Sequence, residues 1–352
     1  VTKRYRIKDI AQMAGVSAGT VDRVIHNRGD VSPESRLKVE EILRKIDYQP
    51  SLSLSSIGVK KQYTLFAVLP QFTRGEYWEQ IEAGVKRAVF EFSNARLKLR
   101  FFYYDQFDLF SCRRAFTEAS AQKCDAVLIG ATFHDEAMHF TSQLSNRGIP
   151  YVFVDTFVNN TEPIAFFGPH SHLSGYVEAK ILLSMIEPGR DIAVFQACRI
   201  GNESSTQTIP RKYGFMSCIK ERSPETKIVF AQYYNSDIPA SWEMMDRFFD
   251  ENRNVGGAVV LNSRAYIVGG YLRDRKIKDI RLVGCGAIEP NVALLKEGYI
   301  SCLIAERPEY QGYMGVRTLL EYLLYNKRSE VANYTPIDII IPENVDFYLN
   351  VQ

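Results

Sequence analysis

Four side chains of complementary chemistry stand just past apolar runs of strand length. Asp155 ends YVFVD (151–155) and Asn262 ends GAVVLN (257–262). Arg211 opens a helical pattern after the loop that follows IAVFQA (192–197), and Trp78 follows the loop after YTLFAVLP (63–70). In open parallel sheets ligands bind outside the carboxyl ends of the strands, so residues in such places matter more than those inside the runs. A carboxylate and an amide bond hydroxyls in bidentate fashion, a guanidinium adds a charge-assisted bond, and an indole covers the apolar face of a ring. Converging on one cleft, the four would hold a small polyhydroxylated ligand. Each also has a plainer reading: Asp155 as a helix cap, Arg211 in a surface ion pair, Asn262 in a turn, Trp78 as a core aromatic.

Catalytic motifs are missing from the sequence. It has no G-x-x-x-x-G-K-[ST] or G-x-G-x-x-G loop to cradle phosphates, and its G-x-S-x-G spacing at 15–19 (GVSAG) falls between two helical patterns instead of on the strand-to-helix turn a nucleophile needs. Ser217-Cys218-Ile219-Lys220 has the S-x-x-K spacing without its companion motifs. His134 and His139 are five apart, so on a helix they diverge by about 140° and do not share a metal as an i, i+4 pair does. His170 and His172 are expected on a surface loop. Cys112, Cys124, Cys198, Cys218, Cys285 and Cys302 form no C-x-x-C pair and read as the reduced thiols of a cytoplasm. No enzymatic activity, cofactor or metal site is expected.

Two kinds of element must position the four residues. From Tyr63 onward, short apolar runs alternate with amphipathic segments such as that carrying Trp78, Ile81, Val85, Ala88 and Phe92. YTLFAVLP, LKLRFFYY (97–104), DAVLIGA (125–131) and YVFVD make one series; IAFFG (164–168), IAVFQA, IVFAQYY (228–234), GAVVLN and IRLVGCG (280–286) make a second. Alternation over so long a stretch predicts parallel sheets covered by helices, divided between two stacked α/β subdomains. The first 48 residues read differently. Ile7, Ile10, Ala11, Met13 and Ala14 share one helical face before Gly15, Ser17 caps a second helix carrying Val21, Val24 and Ile25, and Ser32-Pro33-Glu34 starts a third that should run to about Ile46. Pro50 and the serine-rich stretch 51–58 then read as a linker with some helical capacity.

At 352 residues the chain is long enough for two or three domains, and 46% hydrophobic with 24% charged residues is an ordinary globular composition. No apolar run approaches membrane-spanning length, and the N-terminal residues lack the apolar core of a signal peptide, so a cytoplasmic protein that is neither membrane-embedded nor secreted is expected. Net charge is +2, yet residues 1–61 hold 12 Lys and Arg against 7 Asp and Glu. That local basicity fits a polyanion partner for this segment alone, or a solvated basic face.

Residues 7–27, IKDIAQMAGVSAGTVDRVIHN, closely resemble the N-terminal signature of the lactose-repressor/galactose-repressor (LacI/GalR) family of transcriptional regulators. Tyr77-Trp78-x-x-Ile81-x-x-Gly84, the run 148–155 (GIPYVFVD), Arg211-Lys212-Tyr213-Gly214-Phe215 and Asn262-Ser263-Arg264 extend the resemblance over essentially the whole chain. It implies an α/β protein with a helix-turn-helix headpiece (1–50), a hinge (51–61) and a periplasmic-binding-protein-like core (62–352) of two doubly wound parallel-sheet subdomains. These would comprise about 62–162 with 291–328, and about 163–290 with 329–352. It also implies a dimer, with a tetramer left open, reading a near-palindromic operator on double-stranded DNA and answering to a sugar or sugar-derived effector.

The second helix would then lie in the major groove. Ser17, Ala18, Gly19, Thr20, Asp22, Arg23 and Asn27 fall on the DNA-facing segment; Arg23 can pair with guanine O6 and N7 or hold a phosphate, whereas Ala18 and Gly19 offer close backbone approach. Asp22 stands where the family usually has serine, and either orients Arg23 or is a solvated helix residue. Lys3, Arg4, Arg6 and Arg28 would contact phosphates and set register. In the hinge, Leu54 and Ile57 occupy the places of the family's alanine and minor-groove leucine; an apolar wedge at Ile57 keeps the physical logic, while Leu54 is bulkier than alanine. In the core the resemblance supports Trp78, Asp155, Arg211 and Asn262 as ligand contacts and places Arg307 close to a further one. Gly286 replaces an aspartate that binds sugar hydroxyls, which favours a ligand with fewer hydroxyls, a bulkier one, or a more acidic one held by Arg211. The alternative is a sugar-binding sensor whose headpiece is weakened or needs a corepressor.

Overall fold

The computed structural model describes residues 7–25, 31–45, 61–93, 95–199, 208–235 and 237–350. Of the residues the sequence assigned to DNA, Lys3, Arg4, Arg6, Asn27, Arg28, Leu54 and Ile57 lie outside these. The chain divides into two compact units, Val1–Lys60 and Lys61–Gln352.

The first unit holds α1 (Ile7–Ala14), α2 (Ala18–Ile25) and α3 (Pro33–Lys45). Ile10, Ala11, Ala14, Val21, Val24 and Val39 bury a small shared core, as the helical spacing requires. Gly15 takes φ +64°, the left-handed turn that separates α1 from α2 at no steric cost. Ser17 Oγ accepts from the backbone N–H of Thr20 at 3.0 Å, and Ser32 Oγ from that of Ser35 at 3.3 Å, so both serines cap the helices that follow them.

The second unit begins with β1 (Tyr63–Pro70), α4 (Tyr77–Glu91), β2 (Leu97–Tyr104), α5 (Leu109–Ser120), β3 (Ala126–Gly130), α6 (His134–Asn146), β4 (Tyr151–Val154) and β5 (Ala165–Gly168). It continues through α7 (Ser171–Met185), β6 (Asp191–Ala197), α8 (Thr208–Arg222), β7 (Ile228–Tyr233), α9 (Ile238–Glu251), β8 (Val255–Val260), α10 (Ala265–Asp274) and β9 (Arg281–Cys285). It ends with α11 (Glu289–Lys296), β10 (Cys302–Ala305), α12 (Pro308–Tyr325), β11 (Ala332–Tyr334), β12 (Asp338–Ile340) and α13 (Val345–Asn350). One six-stranded sheet runs β11-β5-β4-β3-β1-β2, all parallel. The other runs β12-β10-β9-β8-β6-β7, with only β12 antiparallel. Strands such as AVLIG and VGGAVV are buried along their whole length, the mark of sheets covered on both faces.

Two lobes result, with boundaries that differ from those read in the sequence. IAFFG, assigned there to the second series, is β5 of the first sheet, where Val152 pairs with Ala165. Residues 302–305 belong to the second sheet, whereas α12 returns to pack on α4 and on β3, β4 and β5, and β11 pairs with β5. A run buried on both faces shows no alternation, so its hydrophobic pattern does not say which sheet receives it. The chain therefore crosses between lobes after β5, after β10 and after β11. His172, expected on a loop, lies in the first turn of α7.

Helices α7 and α8 cross at two glycines. A Cβ on Gly175 would run into the carbonyl of Arg211, and one on Gly214 into that of His172. Backbone meets backbone there, with no flexible side chain able to yield. Gly214→Ala is expected to force the helices apart and to cost about 1–3 kcal/mol, read as a lower chemical-denaturation midpoint. An unchanged midpoint would show that the crossing relaxes freely.

Candidate functional site

A cavity of about 570 Å³ lies between the two lobes of the second unit, a size suited to a small ligand. The ends of several strands build it. Trp78 in the first turn of α4, Phe107 after β2, Thr132 after β3 and Asp155 after β4 come from the first lobe; Arg199 after β6, Arg211 on α8, Asn262 after β8 and Gly286 after β9 come from the second. Arg264 Nη1 of the second lobe reaches Glu76 Oε1 of the first at 2.9 Å.

Of the six core residues singled out in the sequence, five line this cavity: Trp78, Asp155, Arg211, Asn262 and Gly286. Asp155 is buried and takes the left-handed φ of 69°. Tyr77 Oη donates to its Oδ1 at 2.7 Å, Thr156 Oγ1 to its Oδ2 at 3.1 Å, and its own N–H donates to Gln311 Oε1 at 2.9 Å. Burial, together with the charge of Glu306, pushes the Asp155 carboxyl up to about 7 despite the hydrogen bond from Tyr77. Asn262 is anchored too: its Nδ2 donates to Tyr233 Oη at 2.8 Å and its Oδ1 accepts from the N–H of Arg264 at 2.9 Å. Trp78 stands edge-on to Tyr77, ring centres 5.5 Å apart.

Arg211 is not the free guanidinium the sequence reading needed for an acidic ligand. It is only 1% exposed. Its Nη2 donates to Glu306, its Nη1 to Cys285 Sγ at 3.0 Å and to the carbonyl of Leu261 at 3.3 Å, and its Nε lies 3.6 Å from Glu178 Oε1. Glu178 is pushed up to about 7 by its burial, against the pull of Arg211, and Glu306 is raised by burial as well. Gln311 links this centre to the first lobe, donating from Nε2 to the carbonyl of Glu306 at 2.7 Å and to Tyr77 Oη at 3.2 Å.

Arg307 does not reach the cavity. Its fork bonds Asp338 on β12, Nε to Oδ2 at 2.7 Å and Nη2 to Oδ1 at 3.1 Å, and the residue occupies the left-handed N-cap of α12. Its neighbour Glu306 lines the cavity instead. Gly286 has φ +78°, and a Cβ there would lie 3.2 Å from that of Ser263, so an aspartate at this place would be strained as well as new. Asn291, buried behind the loop, holds it by donating from Nδ2 to the carbonyls of Ser263, Cys285 and Gly286. Arg199, Phe107 and Thr132 were not found in the sequence, although each follows an apolar run at the strand ends where ligands bind.

On the first unit, Ser17, Ala18, Gly19 and Arg23 are exposed, while Thr20 and Asp22 are half-buried. The outer face of α2 thus offers small residues and one arginine, the shape a helix needs to approach a groove closely.

Fold and cleft define a two-lobed binding-protein core preceded by a three-helix domain with helix-turn-helix spacing. Comparison with known proteins agrees on both parts: residues 66–327 match the periplasmic binding protein domain, and residues 6–51 match the bacterial regulatory proteins of the lacI family. A chain of Bacteroides fragilis described as a LacI transcriptional regulator is 34% identical, superposes with a TM-score of 0.78, and is covered completely by 82% of this chain. The protein belongs to the lacI family of bacterial regulators. The sucrose operon repressor of Klebsiella pneumoniae is 41% identical over 75 residues, which span 20% of this chain and 22% of that protein. The regulator CelR of Thermobifida fusca is 24% identical over 293 residues, 80% of this chain and 82% of its own. Among the described residues no helix is long and apolar enough to cross a membrane.

Proposed function

We propose that this protein is a cytoplasmic, ligand-responsive repressor of carbohydrate-utilisation genes. It binds a near-palindromic operator as a dimer and a sugar or sugar derivative in the cleft between its lobes, and it is a regulator rather than an enzyme. The observation that carries this reading is the joining, in one chain, of a helix-turn-helix unit with a polar, aromatic-lined cavity set at the carboxyl ends of two parallel sheets. The name of the Klebsiella relative, a sucrose operon repressor, supports a sugar-linked role.

In this reading Arg23 reads a base edge, and Asp155, Asn262 and Trp78 hold the effector. Ligand seated on both lobes favours one relative orientation of them, and unequal affinity for the two orientations is what couples the cleft to operator binding. Selection of the purified full-length protein against random DNA at near-physiological salt should enrich a short palindrome. Arg23→Ala should weaken binding to the enriched site by about 1–3 kcal/mol and relax preference within it. Failure to enrich any sequence would overturn the repressor reading in favour of a sugar-binding sensor, and an unchanged preference in the variant would remove Arg23 from base readout.

A further inference from the structure

The cleft holds a cation that its surroundings leave largely unused. Arg199 follows β6, projects from the second lobe, and lays its guanidinium over the ring of Phe133 in the first lobe, 4.4 Å from the ring centre. The ring centre of Phe107 is 5.8 Å away. Aromatic faces hold a guanidinium in a fixed plane without using up its donors. A guanidinium has five N–H donors; among the described residues Arg199 makes one hydrogen bond, from Nη2 to the carbonyl of Thr132 at 3.3 Å, and its buried Nε has no partner there. No carboxylate within ion-pair distance accompanies it among the described residues, and burial pulls its guanidinium down to about 10. A half-buried guanidinium whose buried N–H lacks a partner is costly unless something pairs with it.

The rest of the wall agrees. Its cations are Arg199, Arg211 and Lys212, its carboxylates Asp155 and Glu306. Arg211 is already bonded to Glu306 and the Lys212 ammonium lies over the ring of Phe230, 4.3 Å from its centre, so among the described residues Arg199 is the lining cation open to an anion. At Gly286 the wall offers no carboxylate.

We infer that the effector is an anionic sugar, its carboxylate or phosphate gripped by the fork of Arg199. This rests on the reading of the cleft as a sugar site and names the class of sugar. Planar two-pronged recognition of carboxylate or phosphate is the geometry that favours arginine over lysine. Because Arg199 comes from one lobe and stacks on the other, an anion bound to it would touch both halves.

The test is calorimetric titration of the full-length protein with sugars paired by ring and differing in charge: galactose with galacturonate, glucose with glucuronate, and glucose with glucose 6-phosphate. The anionic member of at least one pair should bind at least about tenfold tighter than its neutral parent, about 1.4 kcal/mol, and that advantage should shrink as salt is raised. The pair that responds separates a carboxylate from a phosphate. Arg199→Gln, checked for folding by circular dichroism, should narrow the ratio to below about threefold, and Arg199→Lys should fall between. If the folded glutamine variant kept the full ratio, Arg199 would not be the anion site. Neutral sugars binding as well as their acids would overturn the inference and leave the sugar reading standing. If none of these sugars bound, the inference would fall together with the sugar reading. Where the glutamine variant fails to fold, the charge preference and salt dependence of the unaltered protein decide the matter.

Discussion

Arg211→Ala is expected to lower the stability of the core by about 3–5 kcal/mol, the cost of removing one partner from a buried ion cluster. The guanidinium is 1% exposed and stands between Glu306 and Glu178, themselves 2% and 0% exposed. Without it, two carboxyl groups stay behind in a dry site with Ser174 and Cys285 as their remaining side-chain donors, Ser174 reaching Glu306 at 3.0 Å and Cys285 reaching Glu178 at 3.2 Å. Arg211→Lys should not rescue it, because a single ammonium does not reproduce bonds that Nη1 and Nη2 now make to Leu261, Cys285 and Glu306. Adding Glu306→Gln to Arg211→Ala should recover part of the loss by removing the stranded charge. Chemical denaturation of the three variants measures this. A loss below about 1 kcal/mol would mean that the cluster is solvated, and would return Arg211 to the role of a free ligand contact.

This arginine also marks where the sequence was legible. Its place on a helix after a strand-end loop correctly put it at the cleft, because strand ends and loop positions follow from hydrophobic runs. What it bonds depended on Glu178 and Glu306, which are 33 and 95 positions away in the chain and meet it only through the packing of α7 on α8 and the crossing after β10. The headpiece was the most readable part, since Gly15, Ser17 and Ser32 act through contacts three or four residues long. Lobe boundaries were the least readable, because β5 and α12 are apolar enough to suit either lobe. Arg307 shows the same limit from the other side: its position beside Pro308 was visible, but Asp338, which takes its fork, lies on a three-residue strand too short to stand out.

Between about pH 4.5 and pH 7 the core should lose stability as pH rises, and Glu178→Gln should flatten that slope. Glu178 ordinarily titrates near 4.5 and is pushed up to about 7 in the folded chain, burial outweighing the attraction of Arg211. Below about 4.5 both states carry the proton and the group contributes its full effect. Above that the unfolded chain releases the proton while the folded chain keeps it, so stability falls with pH until the folded group also ionises near 7. At about 1.4 kcal/mol per pH unit, this one group accounts for about 3 kcal/mol across the window. Asp155, also raised to about 7, adds a slope of the same sign that the glutamine variant retains. Carboxylates held low by cations, such as Asp246 beside Arg275 and Glu321 beside Lys327 and Arg317, act in the opposite sense but at lower pH, so they do not mask the effect. The proton belongs on Glu178 rather than Glu306 because Glu306 accepts directly from Arg211 Nη2, whereas Arg211 Nε stays 3.6 Å from Glu178 Oε1 and the buried Glu178 Oε2 has no partner among the described residues. Urea denaturation at closely spaced pH values, on the parent and on Glu178→Gln, reads both slopes; identical slopes would place the buried proton on Glu306 or Asp155 and make Glu178 the ionised partner of Arg211.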